Sequence, residues 1–264
     1  YRASSPRYHR DMPLPRAIFF DLDGTLARSK QPIEASMATL LARLLLRTKV
    51  AVTSGGKLEQ LTSQVADRLP PEANLANLYF LPTSGAALWS RDGNDKWRLE
   101  YEELLTPEEQ AHVKDMIMQG ANATGCVDFD SPGYGEYIEL RGAQVTLSAL
   151  GQQAPIEEKK AWDPSHEKRR ALQAAIAPLL PGYDVKIGGA TSIDVTRSGV
   201  NKAYGIRQFS ERYDIPVSDM LYVGDELAPG GNDSVALETG IASRAVENPE
   251  DTARFIEGLL GAAA

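Results

Sequence analysis

The sequence predicts an α/β fold, a doubly wound parallel-sheet (Rossmann-like) core interrupted by an inserted α+β domain. Two patterns predict it. Near both ends of the chain, apolar runs suited to buried strands alternate with stretches at helical spacing, which argues for a parallel sheet with right-handed crossovers. In the middle the alternation lapses and strands pair as hairpins apart from helices, the mark of a small α+β unit. A third pattern places the chemistry: polar residues gather where the core strands end, and open α/β sheets bind ligands beyond those carboxyl ends.

The elements follow in order. Ala17, Ile18, Phe19 and Phe20 read as a strand buried on both faces that runs into Asp21. In "IEASMATLLARLLLR", Ile33, Met37, Leu40, Leu41, Leu44 and Leu45 fall near helical spacing. "VAVTS" (50–54) is a second strand, and a glycine turn leads from it into a helix over 57–69. "LYFLPTS" (78–84) is a third. "AALWSRDGNDKWRLEY" reads as a hairpin, with Trp89 and Trp97 facing each other across it as packing residues.

The middle segment opens with "TPEEQAHVKDMIMQG", where Thr106 is an N-cap, Pro107 takes the first helical position and acids fill the first turn. "YGEYIELRGAQVTLSAL" is an antiparallel hairpin, "HEKRRALQAAIAPLLPG" a helix closed by Pro-Gly, and "YDVKIGGATSIDVT" a strand pair. "EEKK" (157–160) reads as a solvated charge run. The alternation returns with the helix "NKAYGIRQFSERYD", the strand "MLYVGD" (220–225) and helices near 232–239 and 249–260. The expected organisation is a tail at 1–13, a core from 14–100 and 199–264, and an inserted domain at 101–198.

Composition narrows the function. A chain of 264 residues with 42% hydrophobic content can bury a sizeable core. Its net charge of −8 argues against a nucleic-acid partner. No run approaches the ~18 apolar residues of a membrane span, and the opening "YRASSPRYHRDMPLP" lacks a signal-peptide core. The expectation is a soluble, cytoplasmic protein without a membrane partner. Cys126, the single cysteine, reads as a small core filler. His9, His112 and His166 read as surface residues. "GGK" at 55–57 lacks the spacing of a P-loop.

Polar groups stand at four strand ends: Asp21 with Asp23, Thr53 with Ser54, Ser84, and Asp225 with Asp233 close behind. Lys202 begins the helix after the inserted segment. Converged carboxylates repel unless a cation joins them, and an oxygen-loving divalent ion, Mg²⁺, removes the conflict. With Lys202 added, the site becomes locally cationic on an acidic protein and suits a phosphoryl group. Asp21, first off the strand, suits a nucleophile that forms an aspartyl-phosphate. Asp23 suits the acid that protonates the leaving group and then the base. Ser54, with Thr53 as the lesser alternative, suits a donor to a phosphoryl oxygen.

"DLDGT", the hydroxyl at the second strand end, the lysine before a helix and "GDELAPGGND" together resemble the haloacid dehalogenase superfamily, in its C2-capped (type IIB) branch. The resemblance implies a Mg²⁺ site from Asp21, the backbone carbonyl of Asp23 and Asp225, with Asp233 behind them directly or through water. It also makes the inserted domain a cap.

A narrower resemblance, over roughly 136–240, is to the eukaryotic phosphomannomutases, through "YIELRGAQVTLSALGQQAPIEEKK", "GGATSIDVTRSGVNK" and "VGDELAPGGND". It implies that Arg141, Ser192 and Asp194 hold the sugar and the non-reacting phosphate, and it places Lys30 where an arginine follows the first motif. The chain departs from the pattern at Gln152 and Lys159, which stand for arginines, and at "TSG" (83–85), which replaces an Asn-Gly pair.

An arginine-to-glutamine exchange removes a charge-assisted, bidentate grip on phosphate. A weaker grip favours release of the sugar bisphosphate and hydrolysis of the phosphoenzyme. The leading expectation is therefore a Mg²⁺-dependent phosphosugar phosphatase working through phospho-Asp21, with a phosphomannomutase on the same core as the alternative. The expected partner is a small phosphosugar, and self-association is expected as a homodimer through the cap. A receiver-type signalling domain is disfavoured, because it has no leaving group for a second aspartate to protonate.

Overall fold

The apolar run at the start of the core has no solvent-facing side. Ala17–Asp21 forms β1, every residue of which is buried. The computed structural model describes residues 13–94 and 96–262. Most of the tail expected at 1–13, and His9 with it, lies outside the described residues.

From β1 the chain passes through helix α1 (Ala35–Leu45) to strand β2 (Lys49–Thr53), then α2 (Leu58–Gln64), β3 (Leu78–Leu81) and a hairpin of β4 (Ala87–Arg91) and β5 (Trp97–Glu102). The middle segment holds α3 (Pro107–Thr124), β6 (Ile138–Leu140), β7 (Gln144–Ser148), α4 (Ile156–Trp162), α5 (Glu167–Ile176), β8 (Tyr183–Ile187) and β9 (Ser192–Arg197). The last stretch forms α6 (Lys202–Tyr213), β10 (Met220–Gly224), β11 (Ala242–Ala245) and α7 (Pro249–Ala262). No helix among the described residues is long and apolar enough to cross a membrane.

The described chain divides into two compact units, one of residues up to Glu102 with Val200 onward, the other Glu103–Gly199. The first unit carries a sheet of order β11-β10-β1-β2-β3-β4-β5, parallel from β11 to β3 and antiparallel at the β4–β5 edge. Alternation along the strands sorts side chains onto two cores. Ile18, Phe20, Val50, Val52, Phe80 and Val223 face α1 and α7, while Phe19, Ala51, Tyr79, Leu81 and Tyr222 face α6 with Phe209. From β1 the sheet grows to β2 on one side, and from β10 to β11 on the other. The order therefore reverses between β1 and β10, and at such a switch point the loops part to leave a crevice beyond the strand ends. Asp21 ends β1 and Asp225 follows β10 there.

The second unit is an antiparallel sheet of order β6-β7-β9-β8. Val145, Leu147, Ile193, Val195 and Val185 pack with Val113, Ile117, Leu172 and Ile176 of α3 and α5. Residues at the alternate positions, Gln144, Thr146, Ser192 and Asp194, turn to the opposite face, which is polar. Thr106 caps α3 with a reciprocal capping box to Glu109. Cys126 packs half-buried at the edge of this core.

Several local expectations are corrected. The helix expected over 57–69 ends at Gln64 and gives way to a single tight turn at Ala66–Arg68. The third strand stops at Leu81, and Thr83 and Ser84 are left-handed. The helix expected near 232–239 is a 3₁₀ helix, Ser234–Thr239. Trp89 pairs with Leu99 and Trp97 with Arg91, the pair that closes the hairpin, so the tryptophans are diagonal rather than opposed. Trp97 stacks on Phe80, with ring centroids 4.6 Å apart. The "EEKK" run lies within α4, and β11 was not anticipated.

Candidate active site

Asp21 sits at the end of a strand flanked by β2 and β10 and is 5% exposed. Immediately after it the chain folds back: Leu22 O accepts from the amides of Leu26 and Ala27, and Gly24 N donates to Ala27 O. Gly24 has φ +84°, and a Cβ there would run into the Asp225 carboxylate, so glycine is required on both counts. Thr25 Oγ1 donates to Asp225 Oδ1 at 3.0 Å. The "DLDGT" turn thus brings the first and fourth strand-end acids together.

Lys202 completes the cluster. It is the first residue of α6, whose N-cap Asn201 accepts from Tyr204 N, and it is 3% exposed. Its Nζ donates to Asp21 Oδ1 at 2.7 Å, Asp233 Oδ1 at 2.6 Å and Asn232 Oδ1 at 2.5 Å. Burial works against the ammonium charge, but Asp21, Tyr222 and Asp233 outweigh it and hold the pKa well above the ordinary lysine value. Asp233 is fully buried and takes two further donors, Tyr222 Oη at 2.6 Å and Glu226 N at 3.1 Å.

Burial pushes the Asp21 carboxyl up to about 7, with Asp233 and Asp225 adding to the rise and Lys202 opposing it. Burial also raises Asp225, against the hydrogen bond from Thr25.

Asp21, Asp225 and Asp233 each offer a carboxylate oxygen within 4.8 Å of the others. When all are ionised beside Lys202, three negative charges face one positive, a deficit that a divalent cation with a preference for hard oxygen ligands fits. Both oxygens of Asp233 already accept protein donors, so it suits orienting the cluster more than binding an ion directly.

The remaining expected residues fall as follows. Asp23 is half-buried, and its Oδ1 accepts from the backbone N of Lys30 at 2.6 Å. Lys30 is exposed and left-handed, and its hydrogen bond here is made by the backbone. Thr53 bonds Tyr222 Oη at 3.2 Å inside the sheet. Ser54 Oγ accepts from Gly56 N, which ties the glycine turn and leaves its own proton free to donate.

In the second unit, Ser192 and Asp194 share the polar face of β9, and Thr146 Oγ1 donates to Asp194 Oδ1 at 2.8 Å. Burial raises the Asp194 carboxyl, opposed by Thr146 and by the nearby Arg141 charge. Arg141 itself pairs with Glu139, Nε to Oε2 at 2.9 Å. Exposed His112 and His166 take no part in either cluster.

Sequence reasoning missed Tyr222 and Asn232. Tyr222 lies in an apolar run and reads as core. Asn232 stands in the quoted motif, but only the fold shows that its carbonyl meets Lys202.

A doubly wound sheet with this aspartate, lysine and acid cluster at its switch point defines an enzyme of the haloacid dehalogenase superfamily, a phosphotransferase. Solved structures share the fold. A haloacid dehalogenase-like hydrolase from Bacteroides thetaiotaomicron superposes with a TM-score of 0.62 at 15% identity, over 92% of this chain and 98% of that one. An IMP-bound IMP-nucleotidase mutant from Plasmodium falciparum gives 0.67 at 14% identity, over 94% of this chain and 67% of that one.

The chain belongs to the eukaryotic phosphomannomutase family, whose model matches residues 37–262. The matched stretch begins after the Asp21–Asp23 motif. A probable phosphomannomutase from Caenorhabditis elegans is 25% identical over 250 residues, spanning 92% of this chain and 94% of its own length. These comparisons favour the mutase alternative over the phosphatase as the reading of this chain.

Proposed function

We propose that the chain is a hexose-phosphate mutase of the phosphomannomutase type that passes a phosphoryl group through Asp21. The observation that carries this reading is the buried Lys202 Nζ, 2.7 Å from Asp21 Oδ1 and tied to Asp233 and Asn232. It holds a fixed positive charge beside the carboxylate that would attack phosphorus, and preorganised charge of this kind is worth most in a site that excludes water.

The ionised Asp21 attacks the phosphorus of a sugar phosphate, the phosphorus–sugar oxygen bond breaks, and Asp23 gives that oxygen its proton. Asp23 then takes the proton of the second sugar hydroxyl as that oxygen accepts the phosphoryl group and Asp21 is released. Ser54 donates to a phosphoryl oxygen, and Lys202, its three protons already given to Asp21, Asp233 and Asn232, supplies a fixed positive charge beside those oxygens. Asp21, the Asp23 carbonyl and Asp225, with Asp233 behind them, are the residues that would hold Mg²⁺, which supplies charge neutralisation for those oxygens. Arg141, Ser192 and Asp194 bind the sugar and the phosphate that is not reacting.

One observation favours hydrolysis as a second reading: Gln152 is neutral where the family resemblance expects arginine. Two features of the surrounding residues weigh the other way. Lys159 Nζ lies 2.9 Å from the Gln152 carbonyl oxygen and brings a positive charge back to this position. The Gln152 Nε2 is buried without a hydrogen-bond partner among the described residues, a donor suited to a ligand oxygen.

Incubation with mannose 1-phosphate and Mg²⁺, with and without a hexose 1,6-bisphosphate, separates the two. Hexose 6-phosphate formed faster than free phosphate, and more so with the bisphosphate, supports the mutase. Free phosphate as the dominant product in both conditions supports the hydrolase.

A further inference from the structure

We propose that Arg169 is a positioning residue that sets the sugar-binding residues Ser192 and Asp194 by holding the turn from which they leave, an inference that rests on the phosphosugar reading above. Arg169 and Asp163 are 5% and 3% exposed, a buried ion pair at the start of α5. Asp163 Oδ2 accepts from Arg169 Nε at 2.9 Å and from its backbone N at 3.0 Å, while Oδ1 accepts from Lys168 N. The carboxylate therefore caps the helix and anchors the guanidinium together. Burial works against its charge, but these bonds from Arg169 and Lys168 hold Asp163 below the usual carboxylate range.

The third nitrogen of the anchored fork reaches the turn that leads into the sugar-binding strand. Nη2 returns to the Asp163 carbonyl at 2.9 Å, and Nη1 donates to the Gly189 carbonyl at 3.0 Å. That same Gly189 oxygen accepts from Ser192 N, and Gly188 N donates to Ser192 O. Arg169 is thus joined to the backbone of Ser192 through one shared atom. Gly188 presses on the strand as well, since a Cβ there would meet the Asp194 carboxylate. A displaced Gly189 carbonyl would carry Ser192, and Asp194 two residues on, out of place.

Stability alone does not account for the pair. An apolar pair of similar volume is often as stable as a buried ion pair or more so. What an apolar pair cannot do is fix a carbonyl in direction, and the planar guanidinium, with donors on three nitrogens, does that where a lysine cannot.

The test measures total turnover of mannose 1-phosphate, as hexose 6-phosphate plus free phosphate, for two variants of the full chain. Arg169→Lys keeps a charge for Asp163 and gives up the fork. Arg169→Met combined with Asp163→Leu removes the pair without leaving a buried charge. Both are expected to raise KM about tenfold, leave kcat within about threefold, and leave the Mg²⁺ concentration for half-maximal rate unchanged.

A folded variant with wild-type KM overturns the inference. So do kcat, KM and the Mg²⁺ requirement worsening together as the melting temperature falls, since that is what a purely structural role would give. A wild-type chain that turns over no hexose phosphate removes the phosphosugar reading and this inference with it, whereas an active wild type matched by both variants removes the inference alone.

Discussion

The core cluster and the polar face of the four-stranded sheet both gather charge, but they hold it differently. In the core, Lys202 reaches Asp21 across 181 residues of sequence and Asp233 across 31, and all three side chains are within 8% of full burial. On the sheet, Arg141 pairs with Glu139 only two residues away, and both side chains stay in partial contact with solvent. A buried, multiply bonded network cannot exchange partners without a large desolvation cost. A local, half-exposed pair can, which is what the proposed binding role of Arg141 requires. On the proposed mechanism, the core holds a charge still while bonds change, and the sheet trades one partner for another.

Breaking each pair should expose the difference most sharply. Lys202→Met strands Asp21 and Asp233 as buried, unmatched carboxylates and should cost about 3–5 kcal/mol of metal-free stability, along with turnover. Glu139→Gln should cost less than about 1 kcal/mol, because partly exposed pairs contribute little. Denaturant melts of the two variants read this directly, and equal losses would erase the contrast.

A smaller effect lies in pH. Burial pushes Asp21 up to about 7 and raises Asp225, yet their ionised forms are the ones that would hold Mg²⁺. Protons therefore compete with the metal. Mg²⁺ affinity should rise as pH climbs toward about 7 and level off above it, and the protons released on binding below 7 should dwindle above it, which calorimetry in buffers of different ionisation enthalpy would detect. By the same sign, Asp21 favours the metal-free fold at low pH, and that contribution fades as pH rises from the ordinary carboxylate range toward 7. Affinity independent of pH would contradict this.

The smallest change sharpens the exchangeable side. Gln152→Arg should raise affinity for a hexose bisphosphate about tenfold and lower phosphate release relative to isomerisation, since it adds one charge-assisted grip. No change in either quantity would mean that position 152 does not meet the second phosphate.

Much of the core site was legible in the sequence. Asp21, Asp225, Asp233 and Lys202 stand at strand and helix ends that apolar periodicity marks, and acids placed there demand a cation. Tyr222 was not legible, because five buried residues of β10 give no sign of which one bonds an aspartate. Arg169 was not either: in "HEKRRALQ" nothing sets it apart from Lys168 and Arg170 beside it, and its buried place depends on Asp163. The tryptophan register failed for a related reason, since it depends on Arg91 and Trp97 closing the hairpin, and nothing in "AALWSRDG" marks that pair. Α4 was hidden by its own charges. What escaped in each case is a partner supplied by the tertiary fold.

The central claim is that Asp21 carries the phosphoryl group. The direct measurement is a rapid acid quench of the protein with Mg²⁺ and a radiolabelled hexose 1,6-bisphosphate, followed by peptide mapping, with Asp21→Asn as control. Label should appear on the peptide containing Asp21, chase into hexose phosphate when unlabelled substrate is added, and be absent from the folded Asp21→Asn chain. Label on Asp23 or Asp225, or turnover that survives Asp21→Asn, would contradict it.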